Sequence, residues 1–511
     1  MSALLEKIVS NASDWRWITT VVVFALSYFL GRFYHRVSKY PKGPFPLPLV
    51  GNLLSLRNVK DLHSKATELS KTLTRTFSLL YVQRERGIRR ESARVCEEKE
   101  VSRAYIILHH GAVPCTVGRL GELQTQGHHD ILFEDYNPRW KALRKVALLA
   151  VRKYAVSDSL EKLCADVVDA YVDSLPKGPQ VIDSRKPFFY LLYNVIGVSV
   201  YGTDLKEGDK DIRRLEAIDN LFLEVAPNGL PSDIAPWLAF LYHGREKKIE
   251  SLFEEFREIV GKLFTKAEAT YVAGKTENFT HAMIAAREEA IREEKGDAEY
   301  LTKGNMVQVV LNIFGAATDT SAGELQWLFL MLAKEPSIQE KIQKEIEDTI
   351  GSAPPVYKDR ARLPYTVACL LEALRFRPIA PLGLPHKASI ETKVGDLVIP
   401  KDTGILYNVY GVNHDPTMWE RPEEFRPERF LDSATGQLRQ EAGPLITFGM
   451  GPRTCPGEKL AHADMFYILV RLMQRLSCSA PGKPSDVSLN GSGSSLFLMP
   501  EKQDIVLTRR N

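Results

Sequence analysis

The stretch FGMGPRTCPGEKLA, Phe448 to Ala461, sets one cysteine among three glycines, two prolines and an arginine, just before what reads as a helix. A lone cysteine in a large protein is usually a small buried hydrophobe. Burial alone predicts none of these neighbours, so Cys455 stands as a candidate functional residue.

Around this stretch lies a chain of 511 residues, 44% hydrophobic and 26% charged, enough to bury one large core or two ordinary ones. A formal charge of +3 is small for this length, and no basic block is interleaved with aromatics, so no nucleic-acid partner is expected. Six cysteines, Cys96, Cys115, Cys164, Cys369, Cys455 and Cys478, lack CxxC spacing, which points away from a zinc site or a disulfide framework and suits a reducing compartment.

The N-terminus carries an uncharged run, WITTVVVFALSYFLG, between Arg16 and Arg32, with Trp17, Tyr28 and Tyr34 near its ends as interfacial aromatics. A bilayer core needs about 20 mainly apolar residues. Phe33, Tyr34 and the snorkelling arginines would extend the run to that length. A signal peptide would show a basic start and a small-residue cleavage site. Here Glu6 and Asp14 precede the run and Arg32, Arg36, Lys39 and Lys42 follow it, so an uncleaved single-pass anchor in membrane lipid is expected, with the bulk of the chain cytosolic. The Asn11 sequon would then be lumenal. YPKGPFPLPLVGN, Tyr40 to Asn52, reads as a stiff proline strap. The expected division is an anchor with its basic flank at 1–39 and one catalytic domain at 40–511.

Within that domain, Thr302 to Lys334 runs without proline and stops before Pro336, a helix of roughly 50 Å that is apolar nearly all round and so buried. Asp319 and Thr320 stand out there. They are either a structural hydrogen-bond node or a site, since buried polar groups are costly without partners. In CLLEALRFRP, Glu372 and Arg375 share a helix face. Their apolar flanks predict a buried ion pair, which Arg429 of FRPERF would complete by bidentate contact.

Together these residues resemble the cytochrome P-450 family of haem-thiolate monooxygenases, along nearly the whole chain. The cysteine loop Phe-x-x-Gly-x-Arg-x-Cys-x-Gly is met by Phe448, Gly451, Arg453, Cys455 and Gly457; Glu-x-x-Arg by Glu372 and Arg375; the later arginine by Arg429. The oxygen-activation motif is met by Ala316, Asp319, Thr320 and Ser321, with Ala317 where the family usually has glycine, and Trp-x-x-x-Arg by Trp140 and Arg144. Five motifs in the family's order make the resemblance specific.

The resemblance implies a mainly α fold with a small β region, preceded by the single transmembrane helix. It implies haem b, with Cys455 as the axial iron ligand. Gly449, Gly451 and Gly457 would let the backbone turn sharply against a flat macrocycle. The helix start near Gly457 would lower the thiol pKa and hold a thiolate, a donor that favours O–O cleavage. Trp140, Arg144, His386 and Arg453 would bind the propionates, Phe448 would lie against the ring, and Asp319 with Thr320 would relay protons. Phe314, Ala316, Ala317, Thr320, Ile379, Ala380, Pro381 and Leu382 would line the pocket for an apolar small molecule.

The implied activity is insertion of one atom of O2 into a steroid, lipid or xenobiotic. Electrons would come from NADPH through NADPH-cytochrome P-450 reductase, with cytochrome b5 as a second partner, at a cationic face of Lys141, Lys145, Arg152 and Lys459. Within the family the chain resembles animal microsomal members of the steroid 17α-hydroxylase and aryl-hydrocarbon type, which implies the endoplasmic reticulum membrane. The alternatives are a thiolate-haem isomerase or dehydratase without a reductase, against which Asp319 and Thr320 argue, and a haem-binding protein impaired in catalysis. Gln83 to Val101, highly charged where the family has a tight sheet turn, is either an insertion or a gene-model error.

Overall fold

The computed structural model describes residues 15–38, 105–108, 119–201, 239–293, 295–394, 397–399, 404–440, 442–492 and 497–510, with the separate residues 63, 64, 66–68, 214, 218 and 401. The Asn11 sequon, the proline strap and the charged stretch from Gln83 to Val101 lie outside them.

The described elements begin with α1 (Trp15–Val37), β1 (Tyr105–Leu108), α2 (Arg119–Thr125), α3 (Pro138–Tyr154), α4 (Asp158–Ser174), β2 (Gln180–Asp183), α5 (Lys186–Tyr201), α6 (Ala239–Thr270) and α7 (Phe279–Glu293). They continue with α8 (Lys303–Lys334), α9 (Pro336–Thr349), α10 (Pro364–Phe376), β3 (His386–Lys387), β4 (Thr392–Val394), β5 (Leu397–Ile399), β6 (Gly404–Tyr407) and α11 (Val409–Asn413). The C-terminal part holds α12 (Glu458–Arg475), β7 (Leu476–Ser479), β8 (Gly491–Ser492), β9 (Met499–Pro500) and β10 (Asp504–Arg509). The fold is mainly helical with small sheets, as expected.

The chain forms two compact units, one of Met1–Val113 with His386–Leu406, the other of Pro114–Pro385 with Tyr407–Asn511. The smaller carries the sheet ordered β1-β6-β3 and the β4–β5 hairpin. It also carries α1, whose residues Trp17 to His35 form a helix long and apolar enough to cross a membrane. Phe24 is 74% exposed and Trp17 55%, so α1 does not contribute to a protein core. The chain thus has a candidate membrane anchor.

In the larger unit, α8 is the axis. Thr302 caps its start by accepting from the Asn305 N–H at 3.3 Å, and it ends at Glu335, before Pro336. Helix α8 packs on α5, α6, α9, α10 and α12, and α3 packs on α7. The core beside it includes Trp327, Phe329 and Phe188, the last two with ring centroids 4.6 Å apart. A three-stranded antiparallel sheet, β2-β10-β7, lies in the same unit, with Val506 opposite both Val181 and Ser479.

Candidate active site

The loop ahead of α12 closes on itself before it presents the cysteine. Gly449 N–H donates to the Ile446 carbonyl at 2.8 Å, and Cys455 N–H to the Phe448 carbonyl at 2.8 Å. Gly449 and Gly451 have φ of 76° and 69°, a region that favours glycine. Gly457, at φ −84°, does not require it; a Cβ there would stand 3.7 Å from the Cys455 sulfur, an ordinary contact. Two of the three glycines expected to turn the backbone therefore do so.

Cys455 is exposed, whereas Cys164, Cys369 and Cys478 are buried. Although accessible, its sulfur stands amid enough protein that desolvation pushes the thiol upward. The N–H groups of Gly457 and Glu458 and the charge of Arg144 pull it down, as expected of a helix start, but more weakly. The helix alone therefore does not hold a thiolate. A coordinated metal ion would supply the remaining charge stabilisation. Phe448 packs against His462 at 5.0 Å, and burial with the nearby Arg360 charge pushes that histidine down to about 4.

Helix α3 supplies the cationic neighbours. Asn137 accepts from the Trp140 N–H at 2.8 Å as an N-cap, and Pro138 follows as the first helical residue. Trp140 and Arg144 then fall one turn apart. The Trp140 indole N–H donates to the Ile131 carbonyl at 3.1 Å. Its ring lies 5.2 Å from the Arg144 guanidinium and 4.0 Å from that of Arg453, so one aromatic joins both cations. Arg144 donates to the Thr454 carbonyl, and Arg453 to the Glu134 carbonyl at 2.6 Å. Burial opposes the charge on both, and Arg453 further opposes that on Arg144. A buried guanidinium, Arg144, and a half-buried one, Arg453, beside an accessible thiol fit a dianionic prosthetic group with a thiolate-loving metal. His386 belongs to the smaller unit, where it pairs with Ile405 across β3 and β6.

From Asn305 to Ala333, α8 is buried except at Gly315, Ala316, Ala317 and Thr320. This notch falls on the residues singled out from the sequence. Thr320 Oγ1 donates to the Ala316 carbonyl at 2.7 Å, so it is back-bonded here and the helix is unbroken. Buried Asp319 accepts from Arg185 Nη2 at 3.3 Å, and the Arg185 side chain is 51% exposed. Burial pushes the Asp319 carboxyl up and Arg185 opposes the shift. Arg185 thus links the buried acid to solvent, from a position 134 residues upstream with no motif to reveal it. Of the other expected lining residues, Ala380 is half-buried, while Ile379, Pro381 and Leu382 are buried. Phe314 is fully buried, packed with Tyr193 at 6.0 Å and Phe256 at 6.2 Å.

The predicted ion-pair network forms, except that Arg375 rather than Arg429 makes the bidentate contact, because the terminal nitrogens of Arg429 are taken up by the Glu420, Arg421 and Glu424 carbonyls. Glu372 and Arg375 have no exposed side-chain area, and Arg375 meets both carboxylate oxygens at 2.8 and 2.9 Å. Arg429 Nε donates to Glu372 Oε1 at 3.0 Å and the Arg426 N–H to the same oxygen at 2.7 Å. Arg375 also donates to the Asn413 carbonyl at 2.7 Å and the Pro422 carbonyl at 2.9 Å. Thr447, just before the cysteine loop, donates to the Leu374 carbonyl of α10 at 2.8 Å. The loop is therefore tied to the network helix. Of the residues expected to form a cationic face, Lys145 is paired with Glu293 at 3.1 Å, Lys141 lies 4.7 Å from the Tyr136 ring, and Lys459 5.8 Å from that of Tyr357.

Comparison with known proteins gives a match to the cytochrome P-450 family model over residues 41–508. The steroid 17-alpha-hydroxylase/17,20 lyase of Capra hircus is 28% identical over 483 residues, 93% of each chain. The enzyme of that name from Homo sapiens is 26% identical over 480 residues, 90% of this chain and 91% of the other. Among solved structures, a zebra fish cytochrome P-450 with progesterone superposes with a TM-score of 0.65 at 27% identity, covering 76% of this chain and 87% of that one. Another, with abiraterone, gives 0.64 at 27% identity, with coverages of 76% and 86%.

Proposed function

The chain belongs to the cytochrome P-450 family and is a haem b-dependent monooxygenase, and on that footing we propose that its substrate is a steroid. The observation that carries this reading is the notch in α8. Small apolar residues and one hydroxyl open on an otherwise buried rod, in a chain similar end to end to steroid hydroxylases. The lining suits an apolar molecule.

Haem, when bound, supplies the reductive activation of O2 from which one oxygen atom is inserted. Cys455 would ligate its iron. Arg144 and Arg453 would hold the propionates, Trp140 would fix both guanidiniums, and Phe448 and Gly457 would complete the cofactor shell on the larger unit. Asp319 would carry protons inward from solvent, steadied by Arg185, with Thr320 releasing its bond to Ala316 to hold a water. The redox partner would be NADPH-cytochrome P-450 reductase, with cytochrome b5 as auxiliary, docked at Lys141, Arg152 and Lys459. The anchor, residues 1–39, would tether the catalytic domain, 40–511, to the cytosolic face of the endoplasmic reticulum.

The test is reconstitution with that reductase and progesterone. Hydroxylated steroid at the expense of NADPH is the expected result; a thiolate-type carbon-monoxide spectrum with NADPH consumption but no steroid product would reassign the substrate class. Two variants probe the relay. Thr320→Ala should keep haem content and substrate binding while product per NADPH falls and hydrogen peroxide makes up the difference. Asp319→Asn should slow product formation on the order of 10²-fold, the usual weight of a positioned proton carrier. If either loses folded protein with coupling unchanged in the remainder, its role is structural. Deleting residues 1–39 should leave a folded haem protein with weaker membrane attachment, checked by haem content and flotation with vesicles; loss of haem would contradict the separate anchor.

A further inference from the structure

One turn beyond Thr320, α8 buries an acid that none of the motifs requires. Glu324 is 6% exposed, and its Oε1 accepts from the Ile379 N–H at 2.9 Å. The Ile379 carbonyl accepts from the Leu498 N–H at 2.8 Å. The Leu498 carbonyl accepts from the Trp327 indole N–H at 2.9 Å. Trp327 lies three residues after Glu324, so three hydrogen bonds form a circuit that leaves α8 at one side chain and returns at another. The segments it joins touch: a Cβ on Gly323 would come within 2.6 Å of Ile379 Cδ1 and 3.1 Å of the Met499 sulfur.

An acid is an expensive choice in this apolar helix unless its bond is needed. Burial pushes the Glu324 carboxyl well above the usual range, opposed by the bond from Ile379, and its second oxygen has no partner among the described residues. It therefore serves as a buried acceptor for one backbone N–H. Apolar packing is non-directional, whereas a buried backbone N–H needs a partner at one place. The segment after α10 is irregular, turning where Gly383 N–H meets the Ala380 carbonyl at 3.0 Å, so such bonds decide its position.

We propose that Glu324 is a positioning residue for substrate selectivity, holding Ile379 to Leu382 and the adjoining Leu498 against α8 as a fixed wall of the pocket. This rests on the reading of Ile379 to Leu382 as pocket lining. Glu324→Leu removes the acceptor, Glu324→Gln retains it, and Trp327→Phe opens the circuit at its other end.

In the haem-loaded protein, Glu324→Leu should raise amide exchange across residues 376–382 by about tenfold, the weight of one buried hydrogen bond. Progesterone affinity, read from the haem absorbance, should fall by a similar factor while imidazole, which needs little more than the iron, binds unchanged. Glu324→Gln should stay within about twofold of the parent, and the Glu324→Leu and Trp327→Phe effects should not add. If Glu324→Leu fails to fold, Trp327→Phe carries both measurements. Unchanged exchange, failure of glutamine to rescue, or parallel losses for progesterone and imidazole would each overturn the proposal. Should the parent protein itself not bind progesterone, the steroid reading fails, and the exchange comparison still decides the circuit.

Discussion

Cys455→Ala is expected to abolish the thiolate-type carbon-monoxide spectrum of the reduced protein and, with it, all NADPH-dependent product. Cys455 sits exposed on a loop closed by its own backbone bonds, not in the core. The apoprotein should therefore still fold, because backbone bonds rather than the thiol hold the loop. The pairing of these two results is the test. A variant that retains the spectrum has another thiolate ligand, and one that unfolds shows the cysteine to be structural. Because the free thiol is pushed upward rather than down, addition of haem should release a proton at neutral pH.

The second large effect is expected from Glu372→Ala. It would leave Arg375, with no exposed side-chain area, and nearly buried Arg429 without their shared carboxylate. Breaking a buried pair by removing one partner costs about 3–5 kcal/mol, against a typical domain stability of about 5–15 kcal/mol. Folded, haem-loaded protein should fall sharply, and what remains should melt earlier. Because Thr447 hangs on α10 through Leu374, the surviving protein should also hold haem more loosely. Normal melting and normal haem retention would show the network to be dispensable.

Much of this architecture was legible in the sequence. The long helix could be read from its proline-free apolar run and Pro336, and the network from two charged residues three apart among leucines. The cysteine loop could be read because its glycines and arginine have no ordinary packing explanation. Where the reading fell short, long-range geometry was the cause. Arg185 and Glu324 act across 134 and 55 residues of chain. Neither has a spacing signal. The helix start that lowers the thiol pKa is visible in sequence, while the protein gathered round the sulfur, which raises it, is visible only after folding. Phe314 stands out in sequence by its position on α8, while its packing against Tyr193 and Phe256 is visible only after folding.

The interruption of burial along α8 also bears on how such a chain changes over generations. Buried positions are constrained by close packing, where a single added methylene is felt. Gly315, Ala316, Ala317 and Thr320 are not fully enclosed, so they stand partly outside that constraint. Larger or smaller side chains at the alanines would reshape the space offered to a guest molecule with little loss of folded protein. New chemistry on new molecules is thus reachable in single heritable steps, while the rod that bears them stays intact.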